Sequence, residues 1–314
     1  MTEYSYSADK GLTMMTGFGF KTIWVIESLF DGDYRTGKEL YDDVLYYKHV
    51  QDPSVLVEFV EVTDKAQLFA TLARITDDLR KTGNVPLLHI ETHGSKEGLV
   101  LKSGESVRYE ELLPALRTIN VIAQNNLFVV AAACEGGYLS FVLRESLTSP
   151  CPFWGICGPS VEVSAQDVFK GYSAFYAELL VSSDAKNALV KLQEAIPAHG
   201  DKFNIWNAEY LFLLAFRHYA DSLCTGEALQ TRVNALVTAA FALLGEGLDT
   251  EGYRRYVEEL LGTPDGQRQQ FELLKTKFFL HDIYPGNRHL PNPDFDHAMK
   301  VLLRNEGGGK HESA

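Results

Sequence analysis

Apolar residues in the first two thirds of the chain fall in short runs, separated by segments with helical spacing. KTIWVIESLF, Lys21 to Phe30, is a continuous apolar run closed by turn residues, and it predicts a buried strand. TGKELYDDVLYYK then carries apolar positions at helical intervals, and SVLVEFVEV, Ser54 to Val62, returns to a strand pattern. Thr63 and Asp64 open a helix that Gly83 closes. VPLLHIETHG predicts a third strand. GLVLKSGESVRYEELLPALRTI predicts a short hairpin turning at Gly104, then a helix from near Ser106. NLFVVAAAC predicts a fourth strand, GGYLSFVLRESL a helix, CPFWGICGP a fifth strand, and Ser164 to Ile196 further helix. Strands alternating with helices predict an α/β fold, a mostly parallel sheet with helices on both faces.

From about Phe203 the spacing reads as helix throughout, and no strand pattern returns. Leu211, Leu214, Ala215 and His218 form a stripe suited to packing against the sheet domain. The expected organisation is a sheet domain over 1–200, a helical extension over 201–304 and a disordered tail over 305–314.

Composition narrows the partners. At 46% hydrophobic residues, the 314-residue chain can build a large core. Its net charge of −13, from 42 acidic against 29 basic residues, argues against a nucleic-acid surface, which needs clustered Lys and Arg. No unbroken apolar run approaches the roughly 18 residues of a membrane span, and the first ten residues lack a secretory pattern, so no membrane partner is expected. The four cysteines, Cys134, Cys151, Cys157 and Cys224, form no CxxC pair; they fit a reducing cytoplasm better than a disulfide scaffold. No Asp-x-Asp-x-Asp loop suggests calcium, and no metal or organic cofactor is expected.

The chemistry concentrates at two strand ends. His93 closes the third strand in LLHIETHGS, and Cys134 closes the fourth in VVAAACEGG. Ligands of open α/β sheets bind beyond the carboxyl ends of the strands, and parallel neighbours end on one edge. The two side chains should therefore share a crevice. A nearby imidazole can generate or hold a thiolate. Gly94 leaves its N–H able to approach an oxyanion, while Gly136 and Gly137 free the turn after Cys134 and open a helix whose positive end favours thiolate. A lone histidine after a strand is more often a loop residue, and a lone cysteine more often a small buried hydrophobe; the pair in this order is the specific signal. His89 lies four residues earlier on the same face, deeper in the core.

These motifs, LLHIETHGSKEGLVL and LFVVAAACEGGYL, resemble those of the caspase-like cysteine peptidases, closest to legumains and CHAT-type proteases, over roughly Lys21 to Ile196. The resemblance implies a three-layer caspase-like fold and a cysteine endopeptidase acting through an acyl-enzyme. His93 would be the general acid/base, Cys134 the nucleophile, and the N–H groups of Gly94 and Cys134 the oxyanion hole. A third orienting carboxylate is often absent in the family, so a dyad suffices. An arginine just after the first strand lines the family's specificity pocket, and Arg35 stands in that place; the alternative is a loop cap, or a pair with Asp31 or Asp33. Relatives that cut after basic residues carry an acid two positions before the cysteine, where this chain has Ala132. Glu162 and Asp167 are candidates to restore negative charge. The partners implied are a protein substrate and a regulatory or sensor protein, with roles such as antiviral defence or regulated cell death. The alternative within the family is an inactive scaffold that binds partner proteins. Two rivals fit less well: WGICGPS lacks the last glycine of an amidotransferase elbow, and TGFGF precedes the first strand, where a phosphate loop must follow it.

Overall fold

Every residue of β1 (Thr22–Ser28) is buried, and its side chains leave the strand alternately for two different cores. Trp24 and Ile26 join one apolar cluster, Ile23 and Val25 the other. The same division runs along β3 (Pro86–Gly94), with Leu88 and Ile90 on one side and Leu87 on the other, and along β6 (Phe128–Ala132). A strand covered on both faces needs apolar residues at every position, hence the continuous runs in the sequence.

The structure, a computed structural model, describes residues 19–145, 147–286 and 290–300. Its sheet has the order β2 (Leu56–Glu61), β1, β3, β6, β7 (Gly155–Pro159), β8 (Phe203–Asn207). The first five strands are mutually parallel, and β8 runs antiparallel to β7. A hairpin of β4 (Gly98–Val100) and β5 (Ser106–Arg108) pairs with the end of β3. On one face lie α3 (Lys65–Thr82), α4 (Tyr109–Ile122) and α7 (Ala208–Leu223); on the other lie α1 (Thr36–Leu40), α5 (Ala165–Ser182) and α6 (Ala185–Ala195). This is a three-layer α/β fold. A π-turn over Tyr41–Leu45 joins α1 to α2 (Tyr46–Gln51). The caps expected of α3 are present: the Asp64 side chain accepts the Gln67 N–H, and Gly83 takes a left-handed φ of 72°.

Four expectations change. A strand does return after Phe203: Phe203 and Ile205 of β8 are buried while Asn204 and Trp206 are half-buried, a period of two too short to stand out before the helix that follows. The sheet therefore continues past residue 200. The helix expected from Ser106 starts at Tyr109, because Ser106–Arg108 complete the hairpin. The helix after Cys134 is 3₁₀, Gly136–Glu145, where Gly136 seats against the Ala131 carbonyl. His218 is exposed, and the buried stripe of α7 runs through Ala208, Leu211, Phe212, Ala215, Phe216 and Ala220.

Beyond α7 come α8 (Gly226–Leu244), α9 (Thr250–Gly262), α10 (Pro264–Phe278) and α11 (Phe295–Lys300). Phe212 and Phe216 pack edge-on against Phe271 of α10, which ties this region into the main core. Helix α8 departs from the sequence reading. Over Gly226–Gly247 it is long and apolar enough to cross a membrane by length and composition, and only 11% of that window is buried. Glu227, Arg232 and Glu246 break the run, so a search for unbroken apolar length passes it by. The tail expected over 305–314 lies outside the described residues.

Candidate active site

Strand order sets the place. The chain leaves β1 to build β2 on one side, then crosses to build β3 on the other. Beyond the carboxyl ends of β1 and β3 the two connections part, and such a switch point is the usual ligand position in sheets of this kind. His93 lies at the end of β3, and the last paired rung between β3 and β6 is Glu91 with Ala132. Two residues beyond that rung on each strand are His93 and Cys134. The tips touch: a Cβ on Gly94 would lie 2.5 Å from the Cys134 carbonyl oxygen and 2.9 Å from the Ala133 Cβ. Only glycine permits this approach. Glu135 turns the chain away with a φ of 56°.

The loop after β1 holds the imidazole. His93 Nε2 lies 2.7 Å from Asp33 Oδ2, and the His93 ring stacks on Phe30 with centroids 4.6 Å apart. The Phe30 N–H donates to the same carboxylate oxygen, and the Asp33 N–H donates back to the Phe30 carbonyl. The hydrogen bond from His93 holds the Asp33 carboxyl below the ordinary aspartate range.

One rung deeper, three carboxylates stand on adjacent strands in register: Glu61, Glu27 and Glu91, with Ala132 completing the row. Arg35 bridges the first two, at 2.6 Å to Glu27 and 2.8 Å to Glu61, and pairs with neither Asp31 nor Asp33. Lys102 joins Glu61 to Asp31. Glu91 accepts from the Thr36 hydroxyl and contacts His89, which is fully buried and also meets the Tyr176 hydroxyl; His89 is thus part of the core, as its strand position implies. Because Glu27 is 1% exposed and Arg35 45% exposed, Arg35→Ala leaves a buried carboxylate without its cation. The expected loss, discounted for the exposed guanidinium, is about 1–2 kcal/mol in urea unfolding.

The loop after β7 closes the other side. Val161 accepts the Glu135 N–H, and the Val163 carbonyl lies 3.8 Å from Cys134 Sγ. Glu162, between them in the chain, is exposed. Asp167 contacts His199 Nδ1 at 2.8 Å in the first turn of α5, so its charge is engaged there. Cys134 is half-buried, whereas Cys151, Cys157 and Cys224 are buried. Burial pushes the Cys151 thiol up to about 12 and raises those of Cys157 and Cys224 as well. Cys134 is therefore the thiol that solvent can reach.

The sequence reading names His93, Cys134 and Gly94; the structure seats the Gly94 backbone against Ala133 and Cys134, while the His93 ring contacts Asp33 and Phe30 and the Cys134 thiol faces the Val163 carbonyl. Asp33 enters that reading only as a partner for Arg35. The signal that could have found it is the turn Phe30-Asp31-Gly32-Asp33, whose Gly32 has a φ of 94° and folds the loop back over the β3 tip. Tyr109 carries no such signal. Its hydroxyl lies 3.1 Å from the Ser95 carbonyl and 3.4 Å from that of Glu135, so one proton spans the turns after both tips. Among the described residues, no group of three or more His, Cys, Asp or Glu side chains could hold a metal ion. No protein-family model matches the chain, and no curated protein matches it.

Proposed function

We propose that this protein is a cysteine endopeptidase of the caspase-like kind. The observation that carries the reading is the contact of two parallel strand tips, one ending in His93 and the other in the only half-buried cysteine of the four. With Nε2 turned to Asp33, Nδ1 is the ring nitrogen left to exchange a proton with Cys134. The Cys134 thiolate attacks a peptide carbonyl carbon; the S–C bond forms and the carbonyl π pair moves to oxygen, toward the N–H groups of Gly94 and Cys134. The C–N bond then breaks, and the departing amine takes the proton from His93. Water, deprotonated by His93, attacks the thioester; the acid is released and Cys134 leaves as thiolate. The reaction needs no cofactor, and the substrate is a protein chain. A regulator that engages the exposed helices after α7 fits the same reading, as does a cytoplasmic site of action, where the thiols stay reduced.

The test is incubation of the purified chain with a diverse peptide mixture, read by mass spectrometry. Internal cleavage, abolished by iodoacetamide, is the expected result. Intact peptides, with or without the helices' partner, would leave the inactive scaffold as the better account.

A further inference from the structure

We propose that Asp33 is a positioning residue for the peptidase reaction, fixing the tautomer and orientation of His93 so that Nδ1 faces the thiol. The inference rests on the endopeptidase reading and adds to the dyad a third group that the family resemblance does not require.

Three contacts carry it. Asp33 Oδ2 meets Nε2 at 2.7 Å, the Phe30 N–H donates to the same oxygen at 2.8 Å, and the Phe30 ring covers one face of the imidazole at 20° to its plane. An edge contact and a face contact together remove the rotations by which a histidine on a strand tip would turn from its target. Phe30 is 39% exposed, so core packing does not account for its place over the ring. The surrounding charges leave Asp33 to this task. Arg35 is bound to Glu27 and Glu61, Lys102 to Asp31 and Glu61, and Lys96 lies 3.6 Å from Glu135. In the neutral ring only a proton on Nε2 can donate to the carboxylate, so Nδ1 is left as the acceptor. When the ring gains a second proton, the charge of Asp33 steadies it.

Two measurements decide it. In the full-length Cys134→Ala chain above pH 8, nitrogen chemical shifts should show neutral His93 with its proton on Nε2; a proton on Nδ1 would overturn the proposal without any need for a variant of Asp33. In the wild-type background, Asp33→Ala should lower kcat by about tenfold or more at unchanged KM, with Asp33→Asn between the two because its amide oxygen still accepts. Active wild type with an unaltered kcat in Asp33→Ala would sink the positioning role and leave the peptidase reading standing. An inactive wild type would sink the peptidase reading, and with it any catalytic part for Asp33. The pH dependence of stability is a further check. Asp33 is more acidic folded than unfolded, so its contribution is present above the unfolded value and is lost as pH falls through the folded one. Asp33→Asn should flatten that acid limb.

Discussion

Cys134→Ala should abolish cleavage, a loss of at least about a thousandfold in kcat, because the other three cysteines are buried and no other thiol is placed to form the thioester. The fold should barely notice, since Cys134 is half-buried and its Sγ makes only a long contact with the Val163 carbonyl at 3.8 Å. Urea unfolding beside the cleavage assay separates the two effects. The matching substitutions at Cys151, Cys157 and Cys224 should do the reverse, each retaining turnover while opening a small void in a packed region. Retained cleavage in Cys134→Ala would move the nucleophile elsewhere.

Gly94→Ala has the next largest expected effect. The new methyl would sit 2.5 Å from the Cys134 carbonyl oxygen, and the atom it meets is backbone at the neighbouring tip, with no flexible side chain to swing aside. The two tips must then part. Misplacement of reacting groups by about 1 Å can cost about a hundredfold in rate, and that is the loss expected in kcat/KM. Overpacking should also lower stability by about 1–3 kcal/mol in urea unfolding. Full activity in Gly94→Ala would mean that the reaction does not depend on these tips touching.

How much of this could be read from residues alone varies by element. The α/β layering was legible, because continuous apolar runs such as Ile23–Ile26 and Phe128–Val130 have no other good use in a chain of this composition. The closeness of the β3 and β6 tips, which carry His93 and Cys134, was legible too, since parallel neighbours must end on one edge. β8 was hidden by its length and by the strong helix after it. The Asp33 contact was hidden for a different reason: it joins residues 60 apart, and no spacing rule tells which carboxylate of the loop after β1 turns toward the ring. The same limit applies to Arg35, whose partners, Glu27 and Glu61, come from strand register. The exposed apolar face of α8 was obscured by the few charged residues that interrupt it.

The most direct test of the central claim, that His93 activates Cys134, is the rate of alkylation of Cys134 by iodoacetamide near pH 6, followed by mass spectrometry in wild type and in His93→Ala. A free thiol of ordinary acidity, near 8.5, is almost wholly protonated there, so an unassisted cysteine reacts slowly. Wild type should react at least about tenfold faster than His93→Ala. Equal rates in the two chains would contradict the account.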